Sequence, residues 1–282
     1  MKSSPRPVLL TSLLLTALTT PLTGQTARNH LYDKFQIGAF FTDVIFGAKE
    51  RVDGIHGFGD EINLSKDLGI PGYALKPRFD LRWRPGRRHE LELGYQFADV
   101  SGDKTLTRSF DFADTSFTAG LRVQTRYKSD NAFLTYRFAF MAREKTQVGI
   151  GVGVGIYLFD TEIDALTGVA GGGKPDSVSY SSSRNQPGPT ASLGLYGRFA
   201  LGKAWYLDAD LRAMGVTIDS YGVSIVEGGA AARYFVSSKV GIEAGYALSA
   251  VNIDVAPRSS GRGGGKIQYS MQSLRLGLVY AL

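Results

Sequence analysis

The chain has 282 residues, a formal net charge of +6, 43% hydrophobic residues and a mean hydropathy of −0.07. That hydrophobic fraction excludes a disordered chain, and the absence of cysteine excludes disulfide scaffolds, thiolate metal sites and thiol nucleophiles. Thirty-five glycines exceed the roughly 7% of average usage, and they lack the three-residue period of collagen.

The first predicted element is an export signal over residues 1–24. Lys2 and Arg6 form a basic start, Val8 to Leu22 is apolar, and small residues allow cleavage after Gly24 or as late as Ala27. The run is short for a spanning helix, which needs about 20 apolar residues, and Pro21 interrupts it. Cleavage removes Lys2 and Arg6 and leaves a net charge of +4. An exported chain rarely meets nucleic acid, so the basic balance is not read as a nucleic-acid footprint. Residues 25–282 show no boundary and read as one domain.

Period-two alternation then recurs along the whole chain. It predicts about ten strands near 34–48, 72–84, 88–101, 118–141, 146–164, 189–200, 204–218, 222–236, 239–254 and 267–282. The strand at 118–141 is longer than the 9–11 residues a membrane needs. It is expected either to project beyond the bilayer or to break near Ser129–Asp130. Pro85–Arg87, Ala142–Lys145, Leu201–Lys203 and Ser237–Ser238 read as tight turns. The stretches 49–71, 102–117, 165–188 and 255–266 read as long loops, with 219–221 as a short exception. Tight turns at one end and long loops at the other are the pattern of a closed, antiparallel, up-and-down transmembrane β-barrel with both termini at the tight-turn end. Aromatic residues near strand ends, including Tyr73, Trp83, Trp205, Tyr234 and Tyr280, suit membrane interfaces.

The polar face of these strands is charged. Arg78, Asp80, Arg82, Arg84, Glu90, Glu92, Arg122, Arg126, Arg137, Asp208, Asp210, Arg212 and Glu243 are expected in the lumen. They form either a salt-bridge plug or the lining of a charge-selective pore. A small barrel is filled by its own side chains, which favours the plug. Gly94, Gly149, Gly151, Gly153, Gly155, Gly241 and Gly245 fall on the same inward register and leave room for long neighbours. The segment Asp60–Ile70, with its Asp67–Leu68–Gly69 turn, reads as an ordered element that caps the barrel mouth, lines a ligand site or covers the strand tops, the last being favoured.

Three histidines are present. His56 lies in the first outer loop, and a rim hydrolase would pair it with Asp160, Glu162 or Asp164. Scattered histidines and no acidic loop of calcium-binding spacing give no metal site, and no cofactor is expected.

At the end of the chain Leu274, Leu276, Leu278, Tyr280 and Leu282 alternate with Arg275, Gly277, Val279 and Ala281. This resembles the C-terminal assembly signal of bacterial outer-membrane barrels, with Leu282 where those families usually carry an aromatic residue. The mature chain as a whole resembles a small outer-membrane barrel, of the size class that includes OmpA-like and OmpW-like proteins and the ten-stranded proteases. The resemblance implies outer-membrane lipid, lipopolysaccharide and the barrel-assembly machinery as partners. It leaves three functions open: a structural or surface-binding barrel without enzymatic activity, a narrow solute channel, and the rim hydrolase.

Overall fold

The computed structural model describes residues 28–54, 58–167, 177–218, 221–256 and 264–282. The predicted signal segment, His56 and the glycine-rich stretches 168–176 and 257–263 lie outside the described residues. Ten long strands form one wall: β1 (Phe35–Val52), β2 (Tyr73–Gly86), β3 (His89–Thr105), β4 (Arg122–Ala142), β5 (Thr146–Thr167), β6 (Ser177–Ala200), β7 (Trp205–Ile218), β8 (Tyr221–Phe235), β9 (Val240–Val255) and β10 (Gly265–Ala281). Each pairs antiparallel with its neighbour in sequence. β1 pairs with β10 from Gln36↔Ala281 to Val52↔Gly265, so the sheet has no open edge along the barrel. The predicted closed antiparallel barrel is the observed fold, and closure is what a lipid-embedded sheet requires, since no water is there to satisfy edge groups.

The alternation reverses part-way up the wall. In β5, the residues Val148 to Leu158 on the outward register are apolar, and Gly149 to Gly155 face inward. Beyond Leu158 the outward residues are Asp160, Glu162 and Asp164, while Phe159, Ile163 and Ala165 are buried inside. β4 shows the same change, from outward Leu134, Tyr136 and Phe140 to outward Lys128, Arg126 and Arg122. The tight-turn half is therefore apolar outside and polar inside, and the outer half follows the opposite, soluble pattern. At about 3.3 Å per residue and a tilt of about 40°, Val148 to Leu158 spans roughly 25 Å vertically, the height of the apolar band of a membrane barrel. Aromatic residues border it, with Trp205 and Tyr234 rings 4.9 Å apart near the tight turns.

One predicted boundary needs a large correction, and one open alternative is decided. β6 starts at Ser177 rather than 189, and its ladder with β5 runs from Thr167↔Ser177 to Thr146↔Phe199. Most of the stretch read as a loop at 165–188 is thus paired strand, concealed by its Ser-rich sequence and by Pro187 and Pro189. β4 is continuous through Ser129 and Asp130, and its one register shift lies between Ala139 and Met141. The strand projects beyond the lipid band instead of breaking.

Local rules shape the outer loops. Asn63 caps the short helix α1 (Leu64–Leu68), its side chain accepting from Lys66 N at 2.8 Å. Gly69 ends the helix in the left-handed region at φ 74°, where a side chain is strained. Gly102 of β3 lies flat beneath this turn: a Cβ there would come within 2.5 Å of the Gly69 backbone. At the other end, residues 28–34 fold under the barrel mouth. Arg28 donates to Leu282 O at 2.6 Å, Asn29 to Glu144 O at 2.7 Å and Tyr32 to Arg143 O at 2.5 Å. His30 stacks on Phe235 with centroids 3.4 Å apart, and its Nδ1 lies 2.7 Å from Asp33 Oδ2.

Candidate functional site

The interior of the membrane-level half is an ion lattice fixed by strand register. Glu90 (β3) accepts from both terminal nitrogens of Arg198 (β6) at 2.5 and 2.7 Å, from Arg137 (β4) at 3.2 Å, and from Arg84 (β2). Arg137 also lies 2.5 Å from Glu92, and Arg82 bridges Glu92 and Asp208, each at 3.1 Å. Arg233 (β8) donates to Glu243 (β9), to Asp208 (β7) at 3.3 Å and to Gln36 (β1) at 3.0 Å. Arg275 (β10) reaches the second oxygen of Glu243 at 2.8 Å. Arg78 holds Asp80 at 2.9 Å. Arg212 lies at 3.4 Å from Glu227 and, more loosely, at 3.6 Å from Asp210. Nine of the ten strands contribute, and β5 supplies its inward glycines instead. Buried charges of both signs satisfy one another here, because an isolated one would cost several kcal/mol in this environment.

Glycine makes part of this packing possible. A Cβ on Gly94 would meet the Phe133 ring at 2.1 Å, so the bare backbone lets that ring lie across the lumen. The guanidiniums of Arg78 and Arg212 then sit over it, at 5.1 and 5.3 Å from its centroid.

Two adjoining cavities of about 90 and 80 Å³ share Arg78, Gln96, Arg212, Glu227 and Met271; the larger reaches into the lattice, where Arg82, Glu92, Arg137, Arg198 and Asp208 line it. Each has room for several waters, since one needs about 10–15 Å³. Tyr157, which donates to Glu227 at 3.0 Å, closes this chamber on its outer side together with Tyr127, Phe159 and Tyr269. An apolar cap follows. Ile62, Leu64, Leu68 and Ile70 from the first outer loop pack with Phe110, Phe112 and Phe117 from the second, and with Val52, Val123 and Ile163 of the wall. Each fully buried side chain of this kind stabilises the closed arrangement by about 1.5–3 kcal/mol. The segment Asp60–Ile70 is therefore ordered, and it fills the barrel mouth as well as covering the strand tops. Asp67 ties the cap down: it accepts from Asn63 N at 2.8 Å and from Arg108 at 2.9 Å. Burial opposes its charge, but Arg108 and the Asn63 N–H hold its carboxyl below the usual value.

Of the charged residues expected in the lumen, Arg122 and Arg126 are not there. They sit on the outer surface above the lipid band, paired with Asp103 at 2.8 Å and Asp99 at 2.5 Å. The reason is parity: they share the even register of Leu134, Tyr136 and Phe140 on β4. Asp160, Glu162 and Asp164 likewise lie on the outward register of β5, away from the lumen. The lattice also contains Arg198, Arg233, Arg275 and Glu227, which were not singled out in the sequence. Parity marks all four, since each neighbours outward residues such as Phe199, Tyr234, Leu274 and Val226. Leu274, Leu276, Leu278 and Tyr280 point outward along β10, beside the seam with β1. Among the described residues no group of three or more histidine or acidic side chains is placed to hold a metal.

Similarity to solved structures follows the architecture. The outer-membrane protease OmpT from Escherichia coli superposes with a TM-score of 0.54 at 10% identity, over 89% of this chain and 97% of that one. The chain has the fold of an outer-membrane β-barrel. The transport unit of the autotransporter AIDA-I from Escherichia coli gives a TM-score of 0.40 at 11% identity, covering 95% of this chain and 94% of that one. The outer membrane protein OprG from Pseudomonas aeruginosa gives 0.37 at 11% identity, covering 89% and 96%. No protein-family model matches the sequence, and no curated protein matches it. At these identities the likeness concerns the fold alone.

Proposed function

We propose that this protein is an integral barrel of a bacterial outer membrane, exported through the periplasm, with a closed lumen and a structural or surface-binding role carried by its outer end. The observation that carries this reading is the presence of two barriers in series, the ion lattice centred on Glu90 and the apolar cap around Leu64 and Leu68. A conducting path would have to break both. In this reading the outward row Leu274 to Leu282 is presented to the barrel-assembly machinery, and the polar outer wall stands at the level of lipopolysaccharide headgroups.

Planar-bilayer recording of the refolded protein tests the proposal. The expected record shows no steady current above the bilayer leak. A stable ohmic conductance that changes with substitution at Arg78 or Arg82 would overturn it in favour of a narrow solute channel. The hydrolase reading draws no support from the register, which turns Asp160, Glu162 and Asp164 away from the lumen. Hydrolysis of a peptide or lipid substrate that is lost in His56→Ala would reinstate it.

A further inference from the structure

Seven exposed cations crowd the tight-turn end of the barrel; Arg87 is taken up by the Tyr32 ring at 4.7 Å, and six are left. Lys34 leads into β1, Arg88 lies in the β2–β3 turn, Arg143 and Lys145 in the β4–β5 turn, Lys203 in the β6–β7 turn and Lys239 in the β8–β9 turn. None of the six forms an ion pair among the described residues, and Glu144 is the one carboxylate in these four turns. The outer end is different. There Lys49 pairs with Glu61 at 2.7 Å, Arg108 with Asp67 at 2.9 Å, Arg122 with Asp103 at 2.8 Å and Arg126 with Asp99 at 2.5 Å. Ion pairs thus hold most of the exposed outer-end cations, Lys66 excepted, whereas at the tight-turn end Arg28 pairs with Asp33 and the six cations stay unpaired.

The position of the six cations narrows the partner. Lys203 lies two residues from Trp205, Arg143 three from Phe140 and Arg88 five from Trp83, so they stand just beyond the aromatic border of the apolar band. That is the depth of phospholipid headgroups. Every tight turn carries at least one of them, so the charge runs around the perimeter rather than collecting on one side. The centre of the face is already occupied by residues 28–34. A protein docking from one side would meet only part of such a ring, whereas a shell of lipid meets all of it.

We propose that this ring binds the phosphate headgroups of anionic phospholipids in the tight-turn leaflet, giving the barrel a preferred shell of acidic lipid. The inference rests on the membrane-barrel reading above. Attraction of this kind falls off within a Debye length, about 8–10 Å at physiological salt, so it must weaken as salt rises.

The mature chain, refolded into phosphatidylcholine vesicles containing a minority of phosphatidylglycerol, provides the test. Spin-labelled lipids report which headgroup is enriched in the motionally restricted shell. Phosphatidylglycerol is expected to be enriched severalfold at low salt and to approach parity at high salt. The combined variant Lys34→Gln, Arg88→Gln, Arg143→Gln, Lys145→Gln, Lys203→Gln and Lys239→Gln should lose the enrichment. The outer-end variant Arg122→Gln with Arg126→Gln should keep it. A wild-type shell without headgroup preference, enrichment indifferent to salt, or enrichment undiminished in a folded combined variant would each overturn the proposal. The wild-type salt titration decides the matter even if the combined variant fails to fold. Failure of the wild type to insert at all, seen as no heat-shifted mobility on a gel, would instead overturn the membrane-barrel reading.

Discussion

Replacing Glu90 with glutamine probes the ion lattice at its most connected point. The residue is 2% exposed and receives hydrogen bonds from Arg84, Arg137 and Arg198 on three different strands. An amide of the same shape carries no charge, and its NH₂ group would face guanidinium donors. Three arginines would then share one neutral acceptor where they shared a carboxylate. Breaking a buried ion pair from one side costs about 3–5 kcal/mol, and the three-fold partnership places Glu90→Gln toward the upper end of that range. Against a typical total stability of about 5–15 kcal/mol, the change is a third or more. Urea unfolding of the vesicle-embedded protein, followed by the fluorescence of Trp83 and Trp205, should show the loss as a lower midpoint. Arg122→Gln, which removes a solvent-exposed partner of Asp103 above the lipid, should leave the midpoint within error of wild type. A Glu90→Gln midpoint equal to wild type would refute the reasoning, because it would mean that water already solvates the lattice.

Gly102→Ala should unseat the cap helix, since its Cβ would press on the Gly69 and Ile70 backbone at about 2.5 Å. A cost of about 1–3 kcal/mol is expected, read as lost amide-exchange protection over Leu64–Ile70 with the barrel strands unaffected. Leu68→Ala removes a fully buried side chain from the same cap and should cost about 2–5 kcal/mol, visible as increased proteolysis of the outer loops in intact vesicles. The cap should also be acid-sensitive. The Asp67 carboxyl is held below its usual value of 3.8 in the folded protein, so its contribution is fully present above that pH and is lost as pH falls through the lower folded value. Cap protection should therefore be constant from neutral pH to about 5 and decline below about 4. Asp67→Asn should remove that decline.

The sequence alternation placed all ten strands, because a residue facing lipid and one facing a polar lumen differ most in the tight-turn half of the wall. It was less informative in the outer half, where the pattern inverts. Asp160, Glu162 and Asp164 alternate with Thr161, Ile163 and Ala165 as regularly as the lipid-facing run below them. With no lipid at that height, nothing in the pattern alone says how far the ladder continues. The alternation therefore marks β6 only from 189, twelve residues after its start at Ser177. The lattice was legible wherever parity was followed strictly, as for Arg82, Glu92 and Arg137. Charge alone does not place Arg122 and Arg126; the count along β4 from outward Leu134 does, and it puts both outside. Arg198, Arg233 and Arg275 were open to the same counting. A capping role for Asp60–Ile70 is among those the sequence allows, but its partners are not legible, because the packing of Leu64 and Leu68 with Phe112 and Ile163 joins segments far apart in sequence.

The segment beneath the barrel mouth bears on the order of assembly. Residues 28–32 hold Leu282 after β10, Glu144 and Arg143 in the β4–β5 turn, and Tyr206 of β7, whose hydroxyl accepts from His30 N at 3.1 Å. Those anchors lie on separate arcs of the wall and reach their mutual spacing only once the seam between β1 and β10 has zipped. The N-terminal segment therefore cannot template the barrel. It is a latch that engages after the last strand pairing and slows the seam's reopening without hastening its formation. Its removal should raise the unfolding rate while leaving the folding rate nearly unchanged.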